Sequence, residues 1–164
     1  MIVTTAQGRI EGLEGDGVWY FRGVPYAAPP IGERRFRPPA PPATWDGVRS
    51  AKEFGSVAWQ GNTGVSLLLG DKGGVPSEDC LFLNVTTPAC DDAARPVLVW
   101  IHGGGFVNGS SSSAWYDPTR MATRGDVVVV TVNYRLGALG FLWLGGLDDD
   151  YSSSGVNGSK ACTW

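Results

Sequence analysis

Hydrophobic and polar positions along the first 25 residues predict short antiparallel strands. β-Branched and aromatic residues stand in three runs, at residues 2–5, 9–13 and 18–21, and glycines separate these runs. Such runs between glycine turns are typical of a small meander.

From residue 23 to residue 45 the pattern stops, because seven prolines remove backbone donors and fix φ. We expect this segment, the Pro-rich wrap, to lie on the core. Three aromatic side chains can anchor it: Tyr26, Phe36 and Trp45.

Longer apolar runs in the second half predict a different kind of sheet. Residues 81–85 predict one strand, and residues 96–101 and 126–133 are apolar almost throughout. Uninterrupted runs of this length are typical of strands buried on both faces of a parallel sheet. The 24 residues between the last two runs include a short helix expected at 117–123, and they suffice for a crossover between parallel strands.

The predicted sheet lacks the helices that it requires. Helices normally cover both faces of an apolar parallel sheet, yet no long segment of the chain has strong helical periodicity. The strand at 127–130 is therefore expected near an uncovered edge, which favours aggregation. We predict an α/β fold of which the chain carries the front part. That part comprises an antiparallel meander, the Pro-rich wrap and the start of a mostly parallel central sheet.

Composition and charge narrow the classes of function. The 164 residues fit one domain, and 43% hydrophobic against 18% charged residues exclude a disordered chain. A net charge of −3 offers no basic surface to nucleic acid. No apolar run reaches the roughly 18 residues of a membrane helix. The first residues show no basic stretch followed by an apolar one. We therefore expect no signal peptide and a cytoplasmic protein, with secretion left open.

The cysteines predict neither a metal site nor a disulfide framework. Cys80, Cys90 and Cys162 are an odd number of cysteines, and none of them forms a C-x-x-C pair. We expect free thiols, as in a reducing compartment, and neither a metal nor a cofactor.

The motif HGGGF at residues 102–106 is chemically the most informative, and it directly follows the apolar run at 96–101. Consecutive glycines let a backbone approach a ligand closely. Two of their N–H groups, aimed at a developing alkoxide, form an oxyanion hole. A loop of this kind after a strand is the oxyanion element of lipases and esterases. The alternative is a flexible glycine-rich turn.

The other groups of a serine esterase are missing from the sequence. The nucleophile of such enzymes stands in a G-x-S-x-G turn between a strand and a helix, and the acid and the His follow it along the chain. Residues 109–113, GSSSS, come nearest to that motif but end in Ser and lie in a loop. The single histidine, His102, belongs to the glycine loop. Nucleophile, acid and base are therefore expected outside the 164 residues.

Five sequence blocks follow one another along the chain. They are FRGVPYAAPP at 21–30, RF to WDG at 35–47, SEDCLFLNV at 77–85, PVLVWIHGGGF at 96–106 and VNYRLGALGFL at 132–142. Together they resemble the N-terminal part of the type B carboxylesterase family, the carboxylesterase and cholinesterase group of α/β-hydrolases. The resemblance implies an α/β-hydrolase fold and hydrolysis of a small-molecule carboxylic ester by serine acyl transfer.

The resemblance also implies a role for each residue of the loop. Gly104 and Gly105 would donate the two oxyanion N–H groups, and Gly103 would shape the loop. His102 would orient the loop instead of acting as a base.

Outside the loop, the resemblance implies an ion pair between Arg35 and Glu78 that ties the Pro-rich wrap to the sheet. The alternative is two solvated surface charges.

Two features depart from the family. Residues 54–60 lack the cysteine that often pairs with the one in the SEDC block, so Cys80 is expected to be free. The Gly-, Ser- and Asp-rich tail at 143–164 diverges, and we place the esterase-like part at 1–142.

These inferences leave three hypotheses. In the first, the chain is part of a carboxylic-ester hydrolase, lacks the triad and is inactive by itself. In the second, it is a binding or adhesion-type relative that keeps the fold without catalysis, although the intact glycine loop argues against this. In the third, it is a truncated gene product without function.

Overall fold

The computed structural model describes residues 1–61, 74–147, 151 and 154–160. The strands of these residues are β1 (Ile2–Thr4), β2 (Arg9–Glu11), β3 (Leu13–Gly15), β4 (Val18–Pro25), β5 (Val48–Ser50), β6 (Phe82–Thr87), β7 (Val97–Ile101) and β8 (Val128–Val132). Their α-helices are α1 (Thr119–Gly125), α2 (Gly137–Phe141) and α3 (Asn157–Lys160). Short 3₁₀ turns lie at Gly32–Arg34, Ala114–Tyr116 and Ser154–Val156.

The strands form two sheets. In the smaller sheet, β2 pairs antiparallel with β1 and parallel with β5. The larger sheet has the order β3-β4-β6-β8-β7. Its first three pairings are antiparallel, and the pairing of β8 with β7 is parallel. The predicted meander is thus divided between two sheets, and the parallel part of the larger sheet begins with β7 and β8.

A crossover joins β7 to β8 and contains the predicted helix. Helix α1 begins at Thr119, two residues after the predicted start, because Asp117 lies outside the helix and accepts the Thr119 N–H (2.9 Å). That N–H is one of the first donors of the helix and has no partner within it. Ala122 of α1 is buried against one face of the larger sheet, beside Val18 and Val129.

The Pro-rich wrap lies on the core through two of its three aromatic rings. Trp45 packs against Ile10 and Phe21, and its indole N–H donates to the Arg9 carbonyl (2.9 Å). Tyr26 packs against a second cluster that consists of Ala27, Ala58, Cys80, Leu81, Tyr134 and Leu136. The wrap thereby joins both sheets to one another.

β7 is an exposed edge of the larger sheet, and the strand at 127–130, which was expected near an uncovered edge, lies directly beside it. β8 lies between β6 and β7, and Val129 is 3% exposed. In β7 all five residues are exposed, from 37% at Leu98 to 62% at Val97. The reason is that β7 has a neighbour on one side only and no described helix covers it. The prediction that the run at 96–101 is buried on both faces is therefore wrong among the described residues.

The tail predicted from residue 143 bonds back to the body of the chain where it is described. The Arg135 guanidinium donates to the Asn157 carbonyl (2.9 Å), and the buried Asn157 amide donates to the Phe36 carbonyl (2.7 Å). Cys162 lies outside the described residues, and the division at residue 142 stays a prediction. Across the described ranges, no helix combines the length and the apolar character needed to cross a bilayer.

Replacing Val99 in β7 by Lys is expected to reduce aggregation and the binding of the dye ANS while the far-UV circular dichroism stays unchanged. The Val99 side chain is 57% exposed, and a charge on an open sheet edge opposes edge-to-edge pairing. Val129→Lys on the adjacent buried strand is the matched control and should unfold the chain, because it buries an unpaired charge. Equal aggregation of Val99→Lys and the unmodified chain would exclude β7 as the associating surface.

Candidate active site

The glycine loop leaves β7 at His102 and turns back on itself within a few residues. The Gly104 carbonyl accepts the N–H groups of Val107 and Asn108, each at 3.2 Å. Gly104 has φ +122°, and a Cβ at this position would lie 2.0 Å from the Asn108 carbonyl oxygen. Only glycine fits the conformation and the space, so the turn requires Gly104.

Two backbone donors of the loop are available to a ligand. Gly104 and Gly105 are exposed, and neither N–H donates to any acceptor in the described part of the chain. Neighbouring N–H groups without a protein partner can stabilise an oxyanion. Gly103 precedes them, is also exposed and offers its carbonyl to the histidine.

His102 is buried and bonds to the loop. Its Nδ1 lies 2.9 Å from the Gly103 carbonyl oxygen, so Nδ1 carries the proton, because a carbonyl can only accept. The ring stacks on Tyr134 with 4.5 Å between ring centroids, and the Tyr134 hydroxyl donates to the His102 carbonyl (2.9 Å). Burial lowers the pKa of the imidazole, against a smaller opposing effect of the Gly103 bond. These contacts join the ring to the loop at Gly103 and to the residues that follow β8 at Tyr134.

Buried amide side chains hold the segment that follows the loop. Asn133 Oδ1 accepts the Ser111 N–H (2.7 Å), and Asn84 Nδ2 donates to Ser111 Oγ (3.0 Å) and Thr131 Oγ1 (3.0 Å). These contacts give partners to polar groups that would otherwise be buried without one. Asn84, Asn133 and Tyr134 were not predicted from the motifs as supports of the loop. Their positions inside the SEDC and VNYRLG blocks were the signal that could have found them.

Comparison with known proteins places this fold and this loop in one family. The family model described as the carboxylesterase family matches residues 1–152. The chain belongs to the carboxylesterase family. It is 43% identical to the para-nitrobenzyl esterase of Bacillus subtilis over 155 residues, which are 93% of this chain and 31% of that protein. It is 49% identical to the phenmedipham hydrolase of Pseudarthrobacter oxydans over 143 residues, which are 86% of this chain and 29% of that protein.

A solved carboxylesterase structure shows the same backbone. The carboxylesterase of Geobacillus stearothermophilus, at 48% identity, superposes with a TM-score of 0.88 over 98% of this chain and 32% of that one. The described strands and helices are therefore the N-terminal portion of the carboxylesterase α/β-hydrolase fold. The chain spans about a third of the length of the relatives that it matches.

The serines at 110–113 of this carboxylesterase chain take part in the packing of the loop. Ser110, Ser111 and Ser113 are buried, and Ser110 Oγ lies 3.2 Å from Ser112 Oγ. None of the four hydroxyls bonds to His102, whose Nδ1 is occupied by the Gly103 carbonyl. Among the described residues, the serines at 110–113 are therefore not brought to His102 as a nucleophile to a base.

The structure brings Arg35 and Glu78 together in a bidentate ion pair. Arg35 Nε and one terminal nitrogen each lie 2.7 Å from a Glu78 carboxylate oxygen. The pair joins the Pro-rich wrap to the segment that leads into β6. The Arg35 guanidinium holds the pKa of Glu78 below its usual range. Because the pair is exposed, its contribution to stability is small.

The described cysteines of the chain are free thiols, and neither takes part in the site. Cys80 is buried, and burial raises the pKa of its thiol to about 12, which makes the thiol unreactive near neutral pH. Cys90 is half-buried. Within the residues that the structure describes, no group of His, Cys, Asp and Glu side chains could hold a metal ion.

The buried imidazole is expected to make stability depend on pH with a definite sign. Because the pKa of His102 is lowered in the folded chain, the unfolded chain binds the proton more readily. The free energy of unfolding should therefore fall as the pH drops below about 6.5. His102→Gln removes this titration while the carboxyl groups remain. Urea unfolding between about pH 5 and pH 8 should show the difference between the two proteins. A midpoint of the imidazole titration, followed by NMR, at or above the ordinary value would contradict this prediction.

Proposed function

We propose that this chain carries the oxyanion-binding part of a serine carboxylesterase. The observation that supports it is the pair of unpartnered N–H groups at Gly104 and Gly105. These groups stand on a loop that is held in place by His102, Tyr134 and Asn133. A donor pair that is fixed before the substrate arrives needs no reorganisation when charge develops.

In the proposed reaction, a serine hydroxyl from a part of the polypeptide outside these 164 residues attacks the ester carbonyl carbon. A histidine base takes the hydroxyl proton, and the carbonyl oxygen becomes an oxyanion that accepts the Gly104 and Gly105 N–H groups. Collapse of this intermediate expels the alcohol and leaves an acyl-enzyme, which water then hydrolyses. The 164 residues alone lack the nucleophile and base, so by themselves they are inactive in this proposal.

Family membership supports small carboxylic esters as substrates. The similar proteins named above are an esterase and a hydrolase, and both match this chain along most of its length. The glycine loop binds only the carbonyl oxygen of the ester in this proposal. It therefore leaves the choice of acyl and alcohol groups to other parts of the enzyme.

A chimera tests the proposal. Residues 1–142 of this chain replace the corresponding segment of the Bacillus subtilis para-nitrobenzyl esterase, and hydrolysis of p-nitrophenyl butyrate is followed by absorbance. The chimera should be active, whereas the 164-residue chain alone should not exceed the buffer rate. Gly104→Pro and Gly105→Pro each remove one N–H and also distort the loop, because proline cannot adopt the positive φ of either glycine. Each should lower kcat by at least about 10²–10³-fold, since the loss of one oxyanion donor alone costs about 2.7–4 kcal/mol.

The matched control is Ala43→Pro in the exposed Pro-rich wrap, which adds a proline away from the loop and should leave kcat unchanged. Full activity of Gly104→Pro would contradict the proposed donor role. A folded but inactive chimera would favour the non-catalytic relative.

A further inference from the structure

Gln60 makes a two-point contact with a single residue, Gly109, at the far end of the glycine loop. Its Oε1 accepts the Gly109 N–H (2.8 Å), and its Nε2 donates to the Gly109 carbonyl (2.9 Å). Nε2 also donates to the Ala58 carbonyl (3.2 Å), which ties the amide to its own segment. One side chain, 49 residues earlier in the sequence, therefore holds both polar groups of Gly109.

Gly109 in turn lies directly against the beginning of the loop. It has φ +111°, and a Cβ at this position would lie 2.4 Å from His102 Nδ1 and 2.5 Å from the Gly103 carbonyl oxygen. These two atoms form the hydrogen bond that orients the loop. A displacement of Gly109 therefore changes the space next to that bond.

No other described group holds Gly109. Within the described ranges, its N–H and its carbonyl have Gln60 as their only hydrogen-bond partner. The next contacts along the chain belong to Ser111, which bonds to Asn133 and Asn84. Without the Gln60 amide, the end of the loop would be attached only through its neighbours in sequence.

From these contacts we infer that Gln60 is a positioning residue for the oxyanion loop. It holds Gly109 against the beginning of the loop, so that the N–H groups of Gly104 and Gly105 keep a fixed direction. The catalytic part of this inference rests on the proposed function. The effect of Gln60 on the conformation of the loop does not.

The first test uses the 164-residue chain labelled with ¹⁵N-glycine. Gln60→Leu keeps a side chain of similar size and removes both hydrogen bonds to Gly109. It is expected to shift the amide resonances of residues 103–105 and to speed the hydrogen exchange of the Gly109 N–H, which loses its acceptor. Gln7→Leu is the matched control, because Gln7 is the other glutamine of the chain and its side-chain amide makes no hydrogen bond to a described residue. It should leave these resonances unchanged.

A second variant separates hydrogen bonding from packing. In Gln60→Glu the ionised carboxylate can still accept the Gly109 N–H but repels the carbonyl, whereas the protonated carboxyl can donate to that carbonyl. As the pH falls and the introduced carboxyl is protonated, the resonances of residues 103–105 should move back towards the positions that they have in the unmodified chain at the same pH. No shift in either variant, or a shift that does not depend on pH in Gln60→Glu, would overturn the inference. If Gln60→Leu does not fold, the pH dependence of the resonances in Gln60→Glu alone tests the inference.

The catalytic part is tested in the chimera. Gln60→Leu should lower kcat by about ten- to a hundredfold, as displaced catalytic groups do, while KM stays within about twofold. An unchanged kcat with shifted glycine resonances would overturn the positioning role in catalysis. An inactive unmodified chimera would count against the proposed function only, and the resonances of the 164-residue chain would then decide this inference.

Discussion

Six consecutive buried residues, 131–136, hold the separate parts of this chain in place. Polar groups of this segment are removed from water, and among the described buried polar side-chain atoms all but Arg135 Nε have hydrogen-bond partners within the protein. Asn133 bonds to Ser111 beyond the glycine loop, and the Arg135 guanidinium donates to the carbonyls of Arg37 in the Pro-rich wrap and Asn157 in the tail. The hydrogen bonds that the polar groups of this one segment make therefore fix the loop, the wrap and the tail relative to the sheet.

The elements with a local signal could be predicted from the sequence, whereas the order of the strands could not. The run at 126–133 and the helix expected at 117–123 lie within about two residues of β8 and α1, because β-branched runs and an Asp before a helix act locally. β7 and β8 have nearly the same apolar character. Which of them lies at the edge depends on pairing with β6, and the pattern within either strand does not contain that information.

The same distinction applies to the candidate site. Three glycines after a strand form a contiguous motif, and their exposed N–H groups follow from it. The side chains that hold the loop act over 49 residues for Gln60 and 22 residues for Asn133. Contacts of an amide side chain with distant backbone require no fixed spacing in the sequence. Only the fold brings Gln60 to Gly109 and the Tyr134 hydroxyl to the His102 carbonyl.

The position of β8 between two strands that precede it in the sequence has a consequence for synthesis on the ribosome. β6 and β7 are made first but do not pair with one another, so β7 has no sheet neighbour until β8 emerges. About 30 residues separate the ends of β7 and β8, which corresponds to about 1.5–6 s at ordinary rates of translation. During that interval the apolar β7 segment has no strand to pair with, and chaperones that bind extended apolar segments have time to bind it.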